Sequence, residues 1–568
     1  MLHYAEIKRC FILLKRRFIF FKQRFKNFFS LINPKALYAV VLSCLLVLTG
    51  CGKKTVKSDK KIFYYNESAG ISTLDPAFAK DQALIWACNQ LYNGLVQLDN
   101  DMNVLPCIAK SWQISEDKRT YTFTIRDDVY FHDDKCFSEP QKVTAHDFVY
   151  SFNRITDEKT ASPGIWIFSH IEKTDKYHFI ALNDTTLEIK LKEPFAPFLG
   201  LLTMPYAFVV SQKAVEYYKE SYRTHPVGTG AFRFKYWKEG VKLVLLKNDN
   251  YFEKDSLNNP LPYLDAVNVS FITDKQSVFL EFIKGNIDFI SGIDPNYKDE
   301  VLTKKGTLQP KYKDRINLLR QSYLNTEYLG FFLGGDASDP LNNRLIRQAI
   351  NYGFDRKKMV KYLRNNIGSA ALGGMVPPVL LGSVQSEKGY DYNPEKAKEL
   401  LTKAGYYKTT PEITLTTTAS YSDLCKYIQQ QLILLGMKVK LQTAPAAELR
   451  QNMAEGKVPF FRGSWIADYP DAENYLSLFY SKNFAPVGPN YTHFSDKTFD
   501  LLYEQCLRET DEVKRRELYR RMNDMVIEQA PVVVLYYDEV LRFVQRNITG
   551  LEPNAMNLLI LKNVDKQQ

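Results

Sequence analysis

The sequence predicts an α/β protein of more than one domain. Three observations carry that reading. In the second half a strand-like run, 413–418, is followed by a helical run, 422–435, stopped by Gly436, and by a second strand, 438–441. That strand–helix–strand order suits a parallel unit. In the first half, short alternating strands outnumber long helices. At 568 residues the chain also exceeds a typical single domain, so two or three are expected.

Taken in order, residues 61–65 read as a first strand and 72–76 (STLDP) as a turn. Leu84, Ile85, Cys88 and Leu91 fall at helical spacing across 81–91, and Gly94 follows as a stop. Residues 112–114 and 121–125 alternate on either side of the polar turn 115–120, the pattern of a hairpin. Thr144 opens a helix with Asp147 at capping-box spacing, and Phe148, Phe152 and Ile155 form its apolar face. Further strands are read at 185–191, 241–246 and 267–272. Helices follow at 344–352 and from Asn393-Pro394 to Gly405, where Asn caps, Pro takes the first turn and Gly ends the run. A long helix near 510–528 leads into a strand at 532–537.

The formal charge of +11 is concentrated at one end. Residues 1–50 hold nine Lys/Arg and one acid, and 51–61 hold five Lys and one Asp, leaving 61 basic and 62 acidic residues in the body. A near-neutral body argues against nucleic-acid binding. The basic stretch is followed by the apolar run 36–50, fifteen residues long. That is short for a bilayer span, which needs about 20 residues, and suits a signal peptide. The run ends Leu48-Thr49-Gly50-Cys51, which resembles a bacterial lipobox. The resemblance implies cleavage after residue 50, acylation of Cys51 and a tether over 51–61. The remaining cysteines, Cys88, Cys107, Cys136, Cys425 and Cys506, are odd in number and lack CxxC spacing, so at least one stays free.

No HExxH, G-x-S-x-G, Walker A or complete GxGxxG pattern is present. His132, Asp133, Asp134, Cys136 and His146 read as a polar turn before a helix rather than a metal site. No cofactor, no metal and no enzymatic activity are expected. One stretch is chemically loaded. Gly463–Tyr475 (GSWIADYPDAENY) places Asp468, Asp471 and Glu473 beside Trp465, Tyr469 and Pro470. A short apolar strand delivers Asp468 to its end, and Pro470 stops regular structure. An acid so placed can hold a cation or an amine in a partly dry pocket.

Several stretches in fixed order carry a family resemblance: LDPAFAKD (74–81), LYNGLVQLD (91–99), 105–134 with VTAHDFVYSFNR (143–154), PVGTGAF (226–232), NDNYF (248–252), LPYLDAV (261–267), 346–360, 393–406 and WIADYPDAENYL (465–476). Over nearly all of residues 62–565 the chain is similar to the bacterial extracytoplasmic solute-binding proteins of the oligopeptide/dipeptide ABC-importer class, solute-binding protein family 5. It departs from the family pattern at Asp134 and Ala472.

The resemblance implies a two-lobe periplasmic-binding-protein fold of type II, with an extra subdomain inserted in the first lobe. Lobe one is expected at 62–325 and 531–568, with the subdomain at about 99–204, and lobe two at 326–530. It further implies that Asp468 pairs with a peptide's α-ammonium and that Trp465 forms a pocket wall. Glu67, Asn490 and Tyr491 are further candidate contacts on the same footing. The expected protein is a lipid-anchored, exported monomer that captures short peptides for a membrane permease and its ATPase. Glutathione or a metal complex as ligand, or a non-transport signalling role, are the alternatives.

Overall fold

The computed structural model describes residues 60–292, 297–381, 386 and 388–567. The signal run and Cys51 lie outside the described residues.

Two long strands organise the molecule. Ile316–Phe331 and Val532–Gln545 pair antiparallel along most of their length and form the middle of an eleven-stranded sheet. On one side Ile316–Phe331 pairs with Phe460–Ile466, which is followed by Glu412–Thr417 and Lys438–Thr443. The last two pair in parallel through the helix Ser422–Leu434, as the strand–helix–strand pattern predicts. On the other side Val532–Gln545 pairs with Phe289–Ser291. Ile62–Asn66, Ala266–Ser270, Lys242–Lys247 and Phe232–Lys238 complete that half. This mixed sheet, with a core on each side of the crossing strands, is the expected α/β two-lobe architecture.

A separate four-stranded antiparallel sheet is built from Ala109–Ile114, Thr120–Ile125, Thr186–Lys190 and Phe179–Asn183. The helix Ala145–Thr156 packs on it through Phe148 and Phe152, both fully buried. Its first turn is set by Asp147, which accepts the Thr144 N–H at 2.8 Å and hydroxyl at 2.9 Å, the predicted capping box. At the other end Arg154 donates to Asp75 Oδ1 at 3.0 Å, tying the 72–76 turn to this helix.

The structure differs from the sequence expectation in two strands. The crossing strand Ile316–Phe331 was not anticipated, and the final strand runs to Gln545 rather than stopping at 537. All five cysteines of the body are free, four of them buried. His132 is buried inside the turn region, with Nε2 2.9 Å from the Gly230 carbonyl, and burial lowers its pKa to about 4.

Candidate functional site

The strand Phe460–Ile466 runs antiparallel to the crossing strand, with Ile466 opposite Asn325. The Ala467 N–H still bonds the Leu324 carbonyl at 2.9 Å, and the chain then leaves the sheet at Asp468. The loop that follows separates its three carboxylates. Glu473 turns inward, 5% exposed, and accepts the hydroxyls of Tyr469 and Tyr503. Burial raises its pKa to about 7. Asp471 accepts the Tyr519 hydroxyl at 2.6 Å and pairs with Arg515 at 3.2 Å. These two acids anchor the loop to the helices Lys497–Arg508 and Glu512–Gln529.

Asp468 is left over. Its residue surface opens to solvent, and among the described residues its side-chain partner is an amide, the Asn474 Nδ2 at 3.4 Å. Asn474 Oδ1 in turn accepts the Asp468 N–H at 3.3 Å and the Trp465 indole N–H at 2.9 Å. One amide therefore sets both the acid and the aromatic wall. Protein around the carboxylate removes water from its neighbourhood, and this desolvation raises its pKa. An ionised carboxylate in such a place is short of a cation.

The facing wall comes from residues far away in sequence. Trp166 meets Tyr469 with ring centroids 6.4 Å apart. Tyr206 lies close enough that the Asp468 charge, after burial, helps push its phenol up to about 12. Gly164 makes room for it, since a Cβ there would sit 2.3 Å from the Tyr206 ring. Ile165 and Trp166 beside Tyr469 and Ile466 before Asp468 stay exposed. Glu67 follows the strand Ile62–Asn66, half-buried, and accepts the Ala69 N–H at 3.1 Å. Burial first, then the charge of Asp81, raises its pKa.

Two arginines of this half are paired with other acids. Glu327, 1% exposed, is paired with Arg462, whose guanidinium lies 3.2 Å from the Tyr421 ring centroid. Arg364 donates to Asp538 at 2.6 Å and to the Tyr536 hydroxyl at 2.8 Å.

Not every candidate residue lines this space. Asn490 is fully buried, its amide donating to the Tyr480 and Phe494 carbonyls at 3.1 and 3.0 Å and accepting the Thr492 hydroxyl at 2.9 Å. It shapes its own turn and has no face to offer a ligand. Tyr491 packs half-buried on the core beneath the loop. Sequence reasoning missed Asn474, Trp166 and Tyr206. Asn474 sits six residues after Asp468 within the quoted motif, whereas no spacing rule connects 166 or 206 with 468.

The model of the bacterial extracellular solute-binding proteins, family 5, matches residues 103–486. The chain belongs to this family. Its members are the solute-binding proteins of ABC importers, as the sequence resemblance implied. The dipeptide-binding protein DppE of Bacillus subtilis is 27% identical over 542 residues, covering 91% of this chain and 94% of the relative. The glutathione-binding protein GsiB of Shigella flexneri is 28% identical over 495 residues, covering 85% and 90%. Among solved structures, the periplasmic binding protein DppA of Helicobacter pylori in complex with the peptide STSA superposes with a TM-score of 0.73 at 26% identity, covering 89% of this chain and 98% of the other. The family's type II fold matches the two-half sheet described above. No helix among the described residues is long and apolar enough to cross a membrane.

Proposed function

We propose that this chain is the receptor of an ABC importer for short peptides with a free α-amino group. The peptide lies between lobe one (62–325 and 531–568) and lobe two (326–530), and its ammonium pairs with Asp468. The observation that carries this reading is the Asp468 carboxylate, partly desolvated, hydrogen-bonded among the described residues to the Asn474 amide that also holds the Trp465 indole. A ligand ammonium supplies the missing cation and is desolvated together with it when the lobes close. Trp465 and Glu67 belong to the same cleft in this reading. Acylated Cys51 holds the protein at the outer face of a membrane, as a monomer, where it hands the peptide to a permease driven by its ATPase.

The reading is tested by native mass spectrometry of the protein as purified, followed by denaturation and sequencing of what is released. A set of short peptides supports it. Release of glutathione alone, the ligand in the name of one relative, keeps the importer role and replaces the substrate. No bound species, with no thermal shift from peptide pools, overturns it.

A further inference from the structure

A second hollow lies beyond Glu67. It encloses about 380 Å³, near the lower end of the size range of small-molecule pockets, so it holds a single side chain rather than a whole peptide. Its wall is apolar: Val278, Phe279 and Phe282 from the helix Lys275–Lys284, Phe289 from the strand Phe289–Ser291, and Phe543 from the second crossing strand. Phe279 is stacked on Tyr297 at 5.3 Å and 12°, which fixes one side of the wall. Among the described residues the rim is polar and includes Glu67, Lys275 and Gln82.

The position of the rim connects this hollow to the Asp468 cleft. Gln82 is the first residue of the helix capped by Asp81. That helix, Gln82–Leu91, lines the hollow with Gln82 and Trp86 and packs on the turn Pro205–Ala207, which carries Tyr206. One helix thus joins the hollow to the turn that carries Tyr206. A sealed core would close such a hollow, because an empty apolar cavity costs stability in proportion to its volume. This one is kept open at the ends of two strands, where Asn66 and Ser291 leave the sheet.

We infer that this hollow is the specificity subsite of the cleft, taking one large apolar or aromatic side chain of the peptide whose ammonium is held at Asp468. The inference rests on the peptide-receptor reading above. Desolvating a benzyl group against these rings favours Phe over Ala at that one position by roughly tenfold or more. The other positions, facing solvent or backbone, discriminate little.

The test is calorimetric titration of the whole chain, freed of bound ligand, with Ala-Ala-Ala and with the three peptides that carry one Phe. Tighter binding by about tenfold or more at one Phe position supports the subsite. The Phe279→Ala variant should lose most of that gain while its affinity for Ala-Ala-Ala stays unchanged. Asp468→Asn should weaken all four peptides together. Binding of all peptides with no preferred Phe position overturns the subsite and leaves the peptide reading standing, and so does equal weakening of every peptide by Phe279→Ala. Failure of every peptide to bind overturns both.

Discussion

Asn474 and Asp468 are tied to each other in both directions. The Asp468 N–H donates to Asn474 Oδ1 at 3.3 Å, and Asn474 Nδ2 donates to Asp468 Oδ2 at 3.4 Å. The same Oδ1 takes the Trp465 indole N–H. Asn474 is therefore a positioning residue for the whole wall. Asn474→Ala should weaken peptide binding by about 1–2 kcal/mol, the worth of one or two hydrogen bonds. Titration calorimetry reads this directly. The thermal midpoint should fall little, because Glu473 and Asp471 still anchor the loop.

Removing the acid should cost more. Asp468→Ala is expected to weaken binding of an amine-bearing peptide by about 2–5 kcal/mol, since the ligand ammonium is left unpaired. An N-acetylated peptide, which brings no ammonium, should lose no affinity in the variant. Affinity should also depend on pH. The raised pKa of Asp468 means that acidification protonates it earlier than an ordinary aspartate, so affinity falls as pH drops through its titration. Asp468→Asn should remove that dependence.

Glu473 gives a stability prediction of opposite sense. Its pKa rises from 4.5 to about 7 on folding. The folded state therefore holds its proton more tightly than the unfolded chain. Its contribution is fully present below about pH 4.5 and is lost as pH rises through about 7. The full effect is on the order of 3 kcal/mol. Glu473→Gln should flatten that part of the profile of melting temperature against pH between 4.5 and 8, measured beside wild type.

The Glu327–Arg462 pair is a third kind of test. Both side chains are nearly buried, at 1% and 10% exposed. Glu327→Gln leaves a desolvated guanidinium and should cost about 3–5 kcal/mol in denaturant unfolding. The double variant Glu327→Gln/Arg462→Met should recover much of the loss, because the orphaned charge is gone.

The parts of this molecule legible in its sequence are local. The capping box at Thr144, the Asp81 helix start and the parallel pair around Ser422–Leu434 are written in spacing and in capping residues, and each appears where expected. The crossing strand Ile316–Phe331 carries no such mark. Its last eight residues are buried on both faces, so no alternation appears, and its register shifts between Ser322 and Thr326. At the site, the acid was legible because it ends a strand before a proline. Its facing wall was not, because Trp166 and Tyr206 reach it only through the fold. Asn490 carries no such mark in the sequence; it is buried and its amide bonds Tyr480, Phe494 and Thr492 of its own segment.

The order of strands also sets an order of assembly during synthesis. Val532–Gln545 lies between Ile316–Phe331 and Phe289–Ser291, and the Phe331 N–H bonds the Pro531 carbonyl at 3.1 Å. The segment 332–530, which adds Glu412–Thr417, Lys438–Thr443 and Phe460–Ile466 to one side of the sheet, thus begins and ends at adjacent points of the crossing pair, and it can fold while still emerging from the ribosome. The strand Phe289–Ser291, through which the earlier-made strands join the sheet, has no partner on that side until residues 542–544 have been added. The half of the molecule synthesised earliest is the half completed last.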